Sequence, residues 1–414
     1  MKWIARAPGR LDVMGGIADY SGARVLELPL ACTTTAEVEL QDARRCDVSS
    51  RRGERVDRFS MEMPLAEPDQ LAAWFRDHPG DRWAGYIVGV VQALHVQTGI
   101  RIQVDSNVPE GRGVASSAAL EVATACAVAA SCAIEIEPEA IALLCQRVEN
   151  HVVGAPCGIM DQMTSACGKR DRLLQLRCQP GTIEGYVPVP SGYRFYGIDS
   201  GISHTVSGAD YGTVRTAAFM GLRILATDTA WRGQYLADLT PAEFAGLETR
   251  LPTEMSGADF LARYGGIGDT ATRVLPDRRY PVRQAARHPV EEQARVDRFA
   301  ELLGELSGQP EVSIELGELM YGSHASYSAC GLGSDGTDRL VEMVRAAGPE
   351  NGLYGAKITG GGSGGTVAVL GTVAAEPAVH EVAERYAVET RRQTQVFAES
   401  GPGAAESGVR VLRR

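Results

Sequence analysis

Alternation of hydrophobic and polar positions predicts a strand-rich N-terminal part of the chain. The expected strands are residues 2–7, 25–40, 55–63, 100–108, 173–178 and 194–200. Apolar residues at helical spacing predict helices over 83–94 and 138–153, and a small-residue helix is expected to follow the glycines of 109–120 and to run through 121–129. This pattern indicates a sheet that is covered by helices.

The second half of the chain is predicted to be mainly helical. Amphipathic helices are expected over 291–306, 314–327 and 377–390, and a strand over 366–370. Segments 246–268 and 276–287 are expected to be rich in loops, and the Gly- and Ala-rich tail 400–407 is expected to be loose. Because 414 residues exceed what one core usually spans, we expect two domains, residues 1–203 and 204–414.

Three glycine-containing segments interrupt the pattern, within residues 8–22, 109–120 and 357–365. The second leads into a small-residue helix, and the first N–H groups of a helix have no intrahelical acceptor. Together with the helix dipole they form a natural phosphate site, to which Ser116 and Ser117 would add hydroxyls. The alternative is a serine N-cap on a core helix that follows a surface turn.

Two shorter features also indicate loops. Pro8-Gly9-Arg10 is predicted to turn out of the first strand, and residues 156–163 are predicted to form a turn. The second turn presents Asp161 between apolar neighbours. An acid in that setting calls for a chemical explanation.

Several familiar motifs are excluded by their context. Residues 360–365 match both G-x-G-x-x-G and G-x-S-x-G, but the tract precedes its strand, whereas both motifs follow one. Gly168-Lys169 is followed by Arg170, so no Walker phosphate loop is present, and the seven histidines form no HExxH pair. What remains for the tract is backbone near a ligand, or an ordinary loop.

Composition narrows the class of protein. The net charge of -11 argues against a nucleic-acid or membrane-surface binder, because such proteins carry surplus Lys and Arg. The nine cysteines show no CxxC pair, which is typical of free thiols in a reducing compartment. The polar start is unlike a signal peptide, so we expect a cytoplasmic protein.

Taken in order, the three glycine segments resemble the three motifs of the GHMP superfamily, which comprises galactokinase, homoserine kinase, mevalonate kinase and phosphomevalonate kinase. Glu149-Asn150-His151 followed by Gly158-Ile159-Met160-Asp161-Gln162 is similar to the galactokinase branch. Segments 12–22, 155–168, 207–212 and 329–338 resemble the plant arabinokinase group of that branch more than any galactokinase. The resemblance covers nearly the whole chain. It implies an α+β, two-lobed fold with the active site between the lobes.

The resemblance also implies roles for individual residues. Asp161 matches the acid that takes the proton from the anomeric hydroxyl, and Arg10 matches the arginine that pairs with it. Ser117 and Glu149 match the Mg²⁺ ligands, and two oxygen donors suit a hard cation that bridges ATP phosphates. The alternatives are a surface ion pair for Arg10 and Asp161, and a helix-capping role for Glu149.

Two further sets of residues follow from the same matches. The sugar contacts would be Gly16, Ile17, Asp19, Gly158 and Tyr211. The ATP contacts would be Trp83, Gly111, Gly113, Val114, Ala115, Ser116, Ser117 and Ala118, with Gly361 and Gly362 in a loop that closes over the site.

Two departures from the galactokinase pattern bear on the substrate. Gly16-Ile17 stand where galactokinases carry Glu-His, and Val114-Ala115-Ser116-Ser117 replace the usual Leu-Ser-Ser-Ser. In galactokinases that Glu lies against the C6 hydroxyl of galactose, and L-arabinose is galactose without C6. The second change should matter little, because backbone amides make most phosphate contacts.

The expected function is therefore an ATP-dependent sugar 1-kinase that acts on L-arabinose. The alternative substrates are galactose or a larger sugar, if Gly16 simply makes room. A non-catalytic sugar and ATP sensor is disfavoured because Ser117-Ala118 are present, and a small-alcohol kinase because of Met160-Asp161-Gln162 and Asp19-Tyr20. The sequence leaves the oligomeric state open.

Overall fold

The computed structural model describes residues 1–52, 55–203, 209–306 and 310–413. Eight strands lie before residue 203: β1 (Lys2–Met14), β2 (Arg24–Gln41), β3 (Arg45–Arg52), β4 (Arg55–Glu62), β5 (Gly99–Ser106), β6 (Arg172–Arg177), β7 (Thr182–Pro188) and β8 (Tyr193–Asp199). The helices between them are α1 (Pro68–Asp77), α2 (Arg82–Ala93), α3 (Ser116–Ser131), α4 (Pro138–Val148) and α5 (Met160–Cys167). Two 3-10 turns, Gly16–Ser21 and Pro79–Asp81, and a π-helical turn, Glu149–Val153, complete this part.

The described residues after 208 are mainly helical, as expected. The helices are α6 (Ala209–Asp228), α7 (Pro241–Leu247), α8 (Gly257–Tyr264), α9 (Val282–Glu305), α10 (Pro310–Ala329), α11 (Asp335–Ala347), α12 (Glu376–Thr390) and α13 (Ala404–Ser407). The strands are β9 (Met255–Ser256), β10 (Arg279–Tyr280), β11 (Leu353–Ile358), β12 (Thr366–Thr372), β13 (Val396–Phe397) and β14 (Arg410–Leu412).

Two sheets organise the molecule. The larger has the order β14-β1-β2-β5-β3-β4, with β6 added to β2 and β7 added to β6. The smaller has the order β11-β12-β8-β13. Strand β8 thus pairs with strands from the end of the chain, and β14 returns to β1. The division at 203/204 stays a prediction, because residues 204–208 lie outside the described residues.

Small side chains allow α3 to pack closely on the larger sheet, against β1 and β2. Ala118, Ala119, Ala123, Ala125 and Ala127 have no exposed surface. A helix buried along this face gains the usual free energy of apolar burial without needing bulky residues. Its N-terminus, which follows the second glycine segment, is thereby fixed in place.

Most predicted elements are confirmed, but the two turns predicted at Arg10 and Asp161 are wrong. Strand β1 continues through Pro8-Gly9-Arg10, where a register shift against β2 absorbs the irregular residues. Residues 156–163 do not form a single turn, because α5 begins at Met160 and carries Asp161 in its first turn.

Other wrong predictions concern segments that are structured through contacts with residues far away in the sequence. The expected loops 246–268 and 276–287 contain α8 and the start of α9. The tail is not loose, because two of its N–H groups bind distant carbonyls. The Gly401 N–H donates to the Pro29 carbonyl at 3.1 Å, and the Gly403 N–H donates to the Gly168 carbonyl at 2.8 Å. Strands β3 and β7 and helix α1 were not expected. No helix in the described ranges combines the length and apolar character needed to cross a bilayer.

Candidate active site

A cavity of about 370 Å³ brings together residues from both halves of the chain. It lies between the N-terminus of α3, the start of α5, the Arg10 end of β1 and the third glycine segment. The predicted site residues that line it are Arg10, Asp19, Trp83, Gly111, Gly113, Ala115, Ser116, Ser117, Glu149, Gly158, Asp161, Tyr211 and Gly361.

Gly16 and Ile17, both predicted to contact the sugar, are not among the lining residues. A Cβ atom on Gly16 would stand 1.5 Å from the Tyr327 hydroxyl oxygen, and the residue has a φ of +45°. Ile17 is buried, and its N–H donates to the same hydroxyl at 2.8 Å. Tyr327, which reaches in from α10, therefore fills the space beside Gly16.

Three predicted ATP contacts lie just behind the lining. Val114 is buried, and its carbonyl accepts from the Arg10 N–H at 3.1 Å. Ala118 is buried within α3, and Gly362 packs so closely on Leu332 that a Cβ atom there would lie 2.8 Å from the Leu332 backbone oxygen. These residues support the cavity wall rather than form it.

Arg10 and Asp161 meet at the cavity wall, 151 residues apart in sequence. The Arg10 Nη2 and Nε atoms lie 2.7 and 2.9 Å from Asp161 Oδ1. Burial opposes the guanidinium charge, but the nearby carboxylates, Asp161 foremost, raise the pKa of Arg10 overall. Because Arg10 is only 2% exposed, the surface ion pair is excluded. Asp161 keeps 21% of its side chain exposed, open to the cavity.

The N-terminus of α3 has the geometry of an anion site. Gly111 and Gly113 have φ angles of +67° and +70°, which place the chain in the left-handed region that favours glycine. Ala115 occupies the N-cap with a φ of 59°, and no side chain caps the helix. The serine N-cap is therefore not formed, and the first-turn N–H groups remain available to a ligand.

Glu149 begins the π-helical turn that continues α4. Its Oε2 accepts from Gln162 Nε2 at 2.6 Å, and Ser117 and Cys157 also hydrogen-bond to the carboxyl group. Burial, with the charge of Asp161 added, raises the pKa of Glu149 to about 7, although these hydrogen bonds oppose the rise. Glu149 is the C-cap residue of α4 through its backbone N–H, while its side chain contacts Ser117.

Ser117 and Glu149 are the residues expected to bind Mg²⁺. Within the described ranges, no group of three or more His, Cys, Asp and Glu residues is arranged to hold a metal ion. Glu149 and Ser117 supply two oxygen atoms that face the cavity, and Mg²⁺ commonly binds to one or two protein oxygens while waters and phosphates complete its shell. The residues present therefore fit Mg²⁺ bound together with a nucleotide.

Asp19 and Gly158 fit each other tightly. A Cβ atom on residue 158 would stand 1.5 Å from Asp19 Oδ2, so only glycine leaves room for the carboxylate. The Asp19 Oδ1 atom is buried without a hydrogen-bond partner. Burial raises the pKa of Asp19 to about 7, against the opposing charge of Arg215. The cavity thus holds a polar group that a ligand hydroxyl could satisfy.

Several residues near the cavity were missed by sequence reasoning. Arg215 Nη1 donates to the Cys157 carbonyl at 3.0 Å, and its other nitrogens bind Asp269 at 2.8 Å each. Glu27 lies 3.3 Å from Arg10 Nε. Signals did exist: Arg215 follows Tyr211 by one helical turn, and Glu27 is an acid inside an apolar strand.

The chain matches the family models of a class of small-molecule kinases. Residues 85–169 match the family described as GHMP kinases N terminal domain, and residues 311–388 match GHMP kinases C terminal. The chain belongs to the GHMP kinase family, in its galactokinase branch.

Individual relatives support this assignment. The chain is 39% identical to the L-arabinokinase of Arabidopsis thaliana over 100% of its own length, and covers 47% of that protein. It thus spans about half of that relative. It is 30% identical to the galactokinase of Chloroflexus aggregans, covering 95% of this chain and 90% of the other.

Solved structures share the fold at low identity. The crystal structure of Lactococcus lactis galactokinase complexed with galactose has a TM-score of 0.80 at 20% identity, covering 99% of this chain and 95% of that one. Mevalonate kinase from Methanococcus jannaschii has a TM-score of 0.58 at 15% identity, covering 96% and 97%. The predicted two-lobed α+β fold is confirmed.

Proposed function

We propose that this protein is an ATP-dependent sugar 1-kinase that converts L-arabinose to L-arabinose 1-phosphate. The observation that carries the proposal is the cavity in which an Arg10–Asp161 pair faces the uncapped N-terminus of α3. A base and an anion site within one cavity are what phosphoryl transfer to a hydroxyl requires. Membership of the galactokinase branch supports the choice of a sugar.

Asp161 would accept the proton of the anomeric hydroxyl as that oxygen attacks the γ-phosphate. A positioned general base contributes roughly 10²–10⁴-fold to the rate. Arg10, held by Asp161 and by the Gly113 carbonyl at 2.7 Å, would stabilise the developing negative charge. The N–H groups of α3 and the hydroxyls of Ser116 and Ser117 would bind the phosphates. Glu149 and Ser117 would hold Mg²⁺, which neutralises phosphate charge when bound.

Asp19, Gly158 and Tyr211 would contact the sugar. The carboxylate of Asp19 can accept hydrogen bonds from sugar hydroxyls, and the glycine at 158 lets it approach. Tyr327 fills the space beside Gly16, so the absence of a side chain there does not enlarge the site. This supports a compact pentose over a larger sugar.

A panel of free sugars assayed for ATP consumption tests the proposal. We expect kcat/KM for L-arabinose to exceed that for D-galactose by roughly one to two decades. One added group on a substrate lowers kcat/KM by about this factor when the pocket fits the smaller substrate. Phosphorus NMR of the product should show a 1-phosphate. A preference for galactose would refute the pentose and keep the kinase, whereas ATP binding without transfer to any sugar would indicate a sensor.

A further inference from the structure

A fully buried ion pair lies beneath the cavity. Lys357 Nζ on β11 is 2.7 Å from Asp12 Oδ2 on β1, and neither side chain has any exposed surface. Neither residue lines the cavity. Apolar residues of similar size often replace buried ion pairs without loss of stability, so stability alone does not account for this one.

The Asp12 carboxylate also binds two glycine segments through their backbone. The Gly16 N–H donates to Oδ1 at 3.1 Å, and the Gly360 N–H donates to Oδ2 at 3.2 Å. The N–H of Asp12 itself donates to Thr359 Oγ1 at 2.8 Å. One side chain thus joins the turn that carries Asp19 to the closing loop, residues 359–365.

Tyr327 joins the same two segments a second time. Its hydroxyl accepts from the Ile17 N–H at 2.8 Å and donates to the Gly360 carbonyl at 3.0 Å. Lys357 Nζ lies 5.3 Å from the centre of the Tyr327 ring. Lys357 is therefore next to both residues that connect the segments.

Gly360 in turn lies next to Arg10, with no room for a side chain between them. A Cβ atom on Gly360 would lie 3.1 Å from Arg10 Nη2 and 3.1 Å from the Gly113 oxygen. Arg10 and Asp12 are two residues apart on β1 and so project to the same face of the sheet. The Asp12–Lys357 pair thus binds the backbone of Gly360, which lies next to Arg10.

We propose that Asp12 and Lys357 are positioning residues for phosphoryl transfer, whose ion pair sets the closing loop against Arg10 and against the turn that begins at Gly16. The proposal rests on the proposed function. Neither residue touches a substrate, so both act through the backbone of Gly16 and Gly360.

Three variants separate positioning from simple stability. Asp12→Asn and Lys357→Met each leave one buried charge unpaired and should lower Tm and kcat together. The double variant removes both charges of this pair, so neither is left unpaired, and it should recover most of the Tm. Its kcat should stay about 10- to 100-fold below wild type, because a small misplacement of catalytic groups costs that much. The KM for ATP should be unchanged.

A core truncation at a residue that makes no hydrogen bond to the closing loop is the matched control. Val379 is buried in α12, and Val379→Ala should lower Tm without changing kcat. If the double variant regains both the Tm and the kcat of the wild type, the pair is merely structural and the proposal is wrong.

Amide hydrogen exchange of the wild type supplies a readout that needs no variant and no activity. The Gly16 and Gly360 amides should be as protected as those of β11 and should exchange at matching rates, since one carboxylate binds both. Rapid exchange at either amide would overturn the proposal. If the wild type phosphorylates no sugar, the proposed function fails, and exchange in Lys357→Met against wild type still decides whether the pair fixes the closing loop.

Discussion

Two aspartates that line the cavity have different surroundings. Asp161 contacts the guanidinium of Arg10 directly, whereas Asp19 is buried with one oxygen unpartnered. The first arrangement suits a base that must be negatively charged when it takes a proton. The second suits a group that awaits hydrogen bonds from a ligand. The two residues therefore call for different tests.

Replacing Asp161 by Asn tests its role as the base. Asn cannot accept the proton, so kcat should fall by at least ~10²-fold while the fold and ATP binding persist. Steady-state kinetics and ATP titration measure these quantities. Asp171→Asn, at an exposed position ten residues away, should change neither. Full activity of Asp161→Asn would indicate transfer without a base.

The stability of the ligand-free protein should depend on the protonation of Asp19. Burial raises its pKa from 3.8 to about 7, so the folded state binds a proton that the unfolded state has released. The stabilising contribution is full below pH 3.8 and is lost as pH rises towards 7, by up to about 1.4 kcal/mol per pH unit. Denaturant unfolding of wild type and Asp19→Asn between pH 4 and about 7.5 should show a difference with this slope. Parallel curves would contradict the raised pKa.

At the scale of elements, Ser117 and Glu149 are brought together by two helix ends. The sequence predicted one helix over 138–153, but α4 ends at Val148 and a π-helical turn follows. Hydrophobic spacing predicts a helix but does not show where one extra residue per turn is inserted. π-helical turns of this kind are frequent at functional sites. The resemblance predicted Glu149, while its local geometry came only from the structure.

Magnesium titrations test this pairing. Glu149→Gln should raise the Mg²⁺ concentration for half-maximal rate at least about 10-fold, because a neutral amide is a poor ligand for a hard dication. Ser117→Ala should act in the same direction, more mildly. Glu139→Gln is the control, because Glu139 is exposed on α4, the helix that leads into Glu149. This variant should show the Mg²⁺ titration of the wild type. Unchanged titrations of both site variants would place the metal elsewhere.

At the scale of the whole molecule, the residues that sequence reasoning missed are those fixed by partners far along the chain. Lys357 is one of three lysines and sits in an apolar strand, which is a signal, but its partner Asp12 is 345 residues away. Gly16 was expected to face the sugar because the contact of its turn with Tyr327, which is 310 residues from Ile17, could not be predicted. The tail was expected to be loose because its backbone partners, Pro29 and Gly168, leave no local pattern. Local periodicity predicted the elements, and the resemblance predicted which residues meet.

The Arg215–Asp269 pair lies within the second half of the chain, and Arg215 reaches from it to the turn at Cys157 in the first half. Their side chains are 8% and 4% exposed, and the pair is bidentate. Arg215 also holds the Cys157 carbonyl, next to Gly158, from α6. The pair therefore links the stability of the second half to the position of the turn that meets Asp19.

Asp269→Asn should consequently change stability and sugar binding together. Removing one partner of a buried pair costs about 3–5 kcal/mol, because the remaining charge stays buried. The KM for the sugar should rise as the Cys157 turn loosens, while the KM for ATP stays unchanged. Glu389→Gln is the control: Glu389 binds Arg339 in the same bidentate way at 2.8 and 2.9 Å, but both side chains are exposed, so Tm and kinetics should not move. Denaturant unfolding and initial rates measure both effects. A destabilised Asp269→Asn with the wild-type sugar KM would show that the pair holds only the helical half together, and that other contacts, such as the Cys157 N–H bond to Asn150 Oδ1 at 2.8 Å, position the turn at Gly158.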